Sequence, residues 1–157
     1  MTQGRMETGA SGARADRSPV RTAATVVGAV FVLIGILGFI PGATTNYDQL
    51  GFAGHGSGAL LLGLFQVSVL HNIVHLLYGV AGLAMSRQAR TATAYLIGGG
   101  AIYLVLWLYG LVIDKQSGAN FVPLNSADDW LHFGLGVGMI ALGYLLGRRA
   151  RTVATQR

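Results

Sequence analysis

Residues 59–85 read ALLLGLFQVSVLHNIVHLLYGVAGLAM, an uncharged stretch whose polar members are Gln66, Ser68, His71, Asn72 and His75. It exceeds the roughly 20 apolar residues with which a helix crosses a bilayer, so it reads as a membrane span whose start lies outside the hydrocarbon. Its reading decides the fold, because residues 20–40, 95–113 and 130–146 are also apolar and each about a bilayer long. With it the chain crosses an even number of times, and both termini share a side.

Composition points the same way. Of 157 residues 52% are hydrophobic and 11% charged, against roughly 25% charged in soluble domains. The formal net charge of +5 does not indicate nucleic acid, because the basic residues flank the apolar runs and are not interleaved with aromatics. The chain has no cysteine, which excludes disulfide exchange, thiolate metal sites and sulfur lipidation. Its 24 glycines suit close-packed transmembrane helices.

The first run carries one charge, Arg21, and outlasts a signal-peptide core of roughly 7–15 residues. With the poor cleavage site of residues 39–43 it reads as a retained helix stopped by Pro41-Gly42. In the third run Tyr103, Trp107 and Tyr109 are expected as an interfacial aromatic belt. Arg5, Arg14, Arg17 and Arg21 open the chain, Arg87 and Arg90 lie between the second and third runs, and Arg148, Arg149, Arg151 and Arg157 close it. The other two connections hold only Lys115. Basic residues mark cytoplasmic segments, so both termini are expected in the cytoplasm, with Asp48, Asp114, Asp128 and Asp129 outside. The plan is a disordered tail over 1–18, a four-helix transmembrane domain over 19–147 and a basic tail over 148–157.

Two echoes suggest an internal duplication. Arg21-Thr22-Ala23 opens the first helix and Arg90-Thr91-Ala92 the third, while Asn72-x-x-His75-x-x-x-Gly79 returns as Asp129-x-x-His132-x-x-x-Gly136. Both units begin inside, so the fold class is an all-α integral membrane four-helix bundle, either of two parallel two-helix repeats or with two similar helix starts meeting the same interfacial demands. Gly28 and Gly35, Gly79 and Gly82, and Gly143-x-x-x-Gly147 are expected to seat helix on helix; the alternating Gly134, Gly136 and Gly138 spread over more than one face. Glycines left over offer a face for a homodimer or another protein partner beside the lipid bilayer.

The phrases Pro41-Gly42-Ala43-Thr44-Thr45-Asn46-Tyr47, Leu70-His71-Asn72-Ile73-Val74-His75, Asn120-Phe121-Val122-Pro123-Leu124-Asn125 and Asp128-Asp129-Trp130-Leu131-His132 together resemble a bacterial four-pass membrane family, domain of unknown function 4383. The resemblance covers residues 19–147. It implies a bacterial cytoplasmic membrane and the four-pass architecture, and brings no activity with it.

Ionisable groups inside a membrane call for a reason. His71 and His75 lie one helical turn apart, and His71 and His132 stand equally far, fourteen steps, from Met85 and Leu146 at their helices' inner ends. Equal depth in the outer half is therefore expected, with Asn72, Asp128 and Asp129 nearby. His71, His75 and His132 could ligate a metal or flank a haem; they could line a proton-coupled path for a small solute; or, with Asn72, they could hydrogen-bond helix to helix in a structural or accessory protein. Asn72 stands where a zinc protease has glutamate, which excludes that chemistry. Absent cysteine and few histidines disfavour an intramembrane redox enzyme. Gly54-His55-Gly56-Ser57-Gly58 lacks a phosphate loop's Lys-Ser/Thr ending and reads as a turn. Asp128 and Asp129 are expected at the fourth helix's N-terminus.

Overall fold

The computed structural model describes residues 18–155, with side chains as far as Arg148, and consists of four helices and a small sheet. Helix α1 (Pro19–Leu37) begins with proline at its first position, where the missing N–H costs nothing. It buries Val20, Ala24, Gly28, Phe31 and Gly35, one stripe at steps of three and four. Helix α2 (Val69–Met85) starts where Ser68 Oγ accepts the His71 N–H at 3.1 Å. Helices α3 (Ala89–Val112) and α4 (Ser126–Thr155) complete the bundle, α4 running on past residue 147. Most of the expected tail over 1–18 falls outside the described residues.

By length and composition α1, α3 and the Ser126–Arg148 part of α4 can cross a membrane. The 17-residue α2 is shorter, about 25 Å at 1.5 Å per residue. The apolar run 59–85 is thus divided. Residues 59–67 belong to a cap in which β1 (Thr44–Thr45), β2 (Leu60–Leu61) and β3 (Phe65–Gln66) pair antiparallel in that order. Ala59, Leu61 and Val67 are buried against Ile34, Leu37, Leu50 and Phe65. Local turn chemistry overrides hydropathy here: Leu62 and Gly63 take φ of 54° and 70°, which no helix or strand accommodates. The cap closes one end of the bundle; Arg21, Arg87, Arg90 and Arg148, the arginines with described side chains, lie at the other, basic end.

Helix α1 packs chiefly on α2 and α3 chiefly on α4, and the two hairpins use one scheme. A Cβ on Gly28 would lie 2.9 Å from the Gly79 carbonyl oxygen, and one on Gly79 2.6 Å from that of Gly28. In the other hairpin a Cβ on Gly100 would lie 2.7 Å from the Gly136 oxygen, and one on Gly136 3.0 Å from that of Gly100. Val32 and Leu104, and Leu83 and Ile140, fill matching places around these crossings. At the capped end Gly38 leaves room for Asn72 and Gly110 for Asp129. Residues of α3 therefore follow their α1 counterparts by 72 positions, as Gly100 follows Gly28, and those of α4 follow α2 by 57, as Gly136 follows Gly79.

The Asn72/His75/Gly79 echo is in this register. The Arg21/Arg90 echo is not: it would set Gly28 against Ile97, three residues early, so it reflects two similar helix starts. Gly136 faces α3, whereas Gly134 and Gly138 meet nothing, as their alternation implied. Tyr103 is a correction, being buried in the core against Phe31 and not placed in an aromatic belt.

Candidate functional site

Beneath the cap lies a cavity of about 150 Å³, bounded by Phe31 and Ile34 of α1, Leu61, Leu62, Phe65 and Val67 of the cap, His71 and His75 of α2, and Asp128, Leu131, His132 and Leu135 of α4. Three histidines and an aspartate thus face one space. The helical turn between His71 and His75 sets their rings 4.5 Å apart. His75 stacks on Phe31 at 5.6 Å, Phe31 on Tyr103 at 5.5 Å, and Tyr103 lies 5.1 Å from His132. One ring from each helix forms this row. Phe31 and Tyr103 are counterparts at the 72-residue offset, as His75 and His132 are at 57.

Asp128 joins α4 to the cap. Its Oδ2 accepts the N–H of Gln66 at 3.1 Å and of Asn125 at 2.9 Å. Asn125 Oδ1 in turn accepts the N–H groups of Ala127 and Asp128. This is a reciprocal capping box, so Asp128 has the helix-start role expected of it and also lines the cavity. Asn125 Nδ2 donates to Leu64 O at 2.8 Å, a second tie to the cap. Ser68 and Asn125 cap α2 and α4 at equivalent positions.

The other members of the expected polar group stand apart from the cavity. Asp129, 3% exposed, takes the Lys115 ammonium at 2.7 Å, which also donates to Gly110 O. Asn72 is wholly buried beside Gly38. His55 lies exposed in the cap, where Gln66 Nε2 donates to its carbonyl.

Among the described residues, Nδ1 of His71, His75 and His132 and both amide atoms of Asn72 are buried with no hydrogen-bond partner. The direct helix-to-helix hydrogen bonds expected of them are not made by these atoms. No group of three or more His, Asp or Glu among the described residues could hold a metal ion. The cavity is also well below the roughly 300–1,000 Å³ of drug-sized ligand and cofactor sites, which leaves no room for haem. Sequence reasoning missed Lys115, Phe31 and Tyr103 as parts of this region; the 72-residue offset is the signal that would have paired the last two.

No curated protein and no solved structure matches this chain. One family's sequence model matches residues 21–145, and the chain belongs to that family, described as domain of unknown function DUF4383.

Proposed function

We propose that the protein is a non-enzymatic accessory protein of the bacterial cytoplasmic membrane, basic end inside and cap outside, whose capped chamber binds a small polar solute. The observation that supports this is the set of three buried, unpartnered histidine nitrogens belonging to residues around one cavity. Each buried polar atom left unpaired costs about 1–3 kcal/mol, and a hydrogen-bonding guest removes that cost. A cavity of this size takes a molecule of about benzene's dimensions. Phe31 and Leu135 give such a guest an apolar wall, and the imidazoles and Asp128 give it donors and acceptors. Asp128 is the acid lining the chamber and no Lys or Arg lines it, so neutral or singly cationic molecules suit it and anions do not.

The test uses full-length protein in lipid nanodiscs, with methylammonium, urea, imidazole and zinc as probes and thermal unfolding as readout, beside a His71→Ala/His75→Ala variant. One of the first three is expected to raise the melting temperature of the unmodified protein and not of the variant. No shift with any probe, joined to a His75→Leu variant clearly less stable than the parent, would overturn the reading in favour of a structural role. A shift with zinc alone, lost in the variant, would replace the solute with a metal.

A further inference from the structure

A second cavity lies at the opposite, basic end, remote from the chamber and independent of its reading. Arg21, Thr22, Thr25 and Val26 from the first two turns of α1 and Ser86 and Arg87 from the α2–α3 turn line a cleft of about 470 Å³. Arg21 is positioned within it, since its Nε donates to the Ser86 carbonyl at 3.1 Å. That bond holds the guanidinium by one edge and leaves its terminal nitrogens without a protein acceptor among the described residues. Thr25 Oγ1 bonds Arg21 O at 2.9 Å and so stiffens the same turn. Arg87 is exposed across the cleft. Among the described residues no carboxylate lines it; their acids, Asp48, Asp114, Asp128 and Asp129, belong to the capped end.

Two guanidiniums without a counter-ion among the described residues ask for an anion with several acceptor oxygens, and a planar guanidinium meets phosphate through paired N–H groups. The chemistry just beyond the cleft says what kind of phosphate. Val26, Val30 and Leu33 follow one another on α1 at steps of four and three and are 56%, 45% and 54% exposed. An apolar stripe thus runs from the basic cleft towards the middle of the membrane, in the direction an acyl chain takes from its headgroup. Basic recesses between helices at a cytoplasmic interface hold anionic lipid headgroups in this manner.

We propose that the Arg21–Arg87 cleft is a binding site for an anionic phospholipid of the inner leaflet, its phosphate between the two guanidiniums and one acyl chain along Val26, Val30 and Leu33.

The experiment is native mass spectrometry of the full chain released from phosphatidylcholine nanodiscs containing a minor fraction of phosphatidylglycerol. Retention is compared for the parent, Arg21→Gln/Arg87→Gln, Arg21→Lys/Arg87→Lys, and an Arg90→Gln/Arg148→Gln control of equal charge change. The cleft variant is expected to retain phosphatidylglycerol roughly tenfold less or worse, the lysine pair to fall between it and the parent, and the control to hold lipid like the parent. Equal losses in cleft variant and control would show diffuse surface charge and overturn the site. So would undiminished retention in the cleft variant. Inorganic phosphate added in millimolar excess is expected to leave the lipid bound; complete displacement by it would make this a free-phosphate site and overturn the lipid assignment.

Discussion

The α1–α2 and α3–α4 hairpins are built on the same crossing, yet treat the same capped-end position in opposite ways. Beside Gly38 the first hairpin buries a neutral amide, Asn72, with no partner for either side-chain atom among the described residues. Beside Gly110 the second buries a carboxylate, Asp129, and brings Lys115 from the following loop to meet it. An unpaired buried amide costs a few kcal/mol, whereas an unpaired buried charge costs far more and requires a counter-charge. The same divergence makes the chamber asymmetric: His71 of the first hairpin corresponds to Asp128 of the second, while His75 and His132 match. The glycine crossings fix how the helices meet, and the polar positions are then free to differ.

The hardest blow to this correspondence is steric. Gly79→Val and Gly136→Val each push a side chain into a facing backbone or the residues around it, so both are expected to cost about 3 kcal/mol through overpacking, read as loss of the folded band in a detergent unfolding titration. Tolerance of one and not the other would break the equivalence of the hairpins. Next comes the counter-charge. Lys115→Met leaves Asp129 buried and unpaired, and because Lys115 is 27% exposed the cost is expected near 2 kcal/mol, below that of a fully buried pair. Adding Asp129→Asn copies the first hairpin and is expected to restore most of the lost melting temperature; if the double variant stays as weak as the single, charge is not what separates the two positions.

Smaller effects sharpen the picture at the helix starts. Ser68→Ala and Asn125→Ala each remove an N-cap worth about 1 kcal/mol, and Asn125→Ala is expected to be the more damaging because it also releases the cap at Leu64. Equal melting temperatures for the two would deny that extra tie. At the bottom of the scale, Gly134→Ala and Gly138→Ala add a methyl where nothing stands within 4 Å and are expected to be neutral or to stabilise by about 0.5 kcal/mol through helix propensity. A marked loss on either, measured together with oligomeric state by light scattering, would reveal a partner helix on that face.

Much of this was legible in the chain. Hydropathy marked where the four helices run, and counting helical steps from Met85 and Leu146 paired His71 with His132, whereas the 57-residue register pairs His132 with His75 and His71 with Asp128, all four of which line the cavity. The cap was not legible as a sheet, because Leu60-Leu61-Leu62 in isolation favours membrane as much as strand; only the left-handed turn at Leu62-Gly63 and the Ser68 cap decide it. Tyr103 looked interfacial because tyrosine is amphipathic, and its burial follows from Phe31 standing opposite. The Lys115–Asp129 pair depends on a loop path that no periodicity encodes.

The brevity of α2 has a consequence for the lipids around it. Helix α3, at 24 residues, offers the bilayer a wall of about 36 Å, whereas α2 offers about 25 Å, less than a hydrocarbon core of roughly 30 Å. On the cap beyond α2, Phe52, Leu62 and Leu64 are 70%, 68% and 54% exposed and stand in for the missing turns. The protein therefore presents an uneven perimeter, and neighbouring lipids must thin beside α2 or meet the exposed leucines of the β2–β3 turn. Hydrophobic mismatch of this kind makes a protein's energy depend on bilayer thickness, so chain length in the surrounding membrane acts on the side where the chamber is roofed.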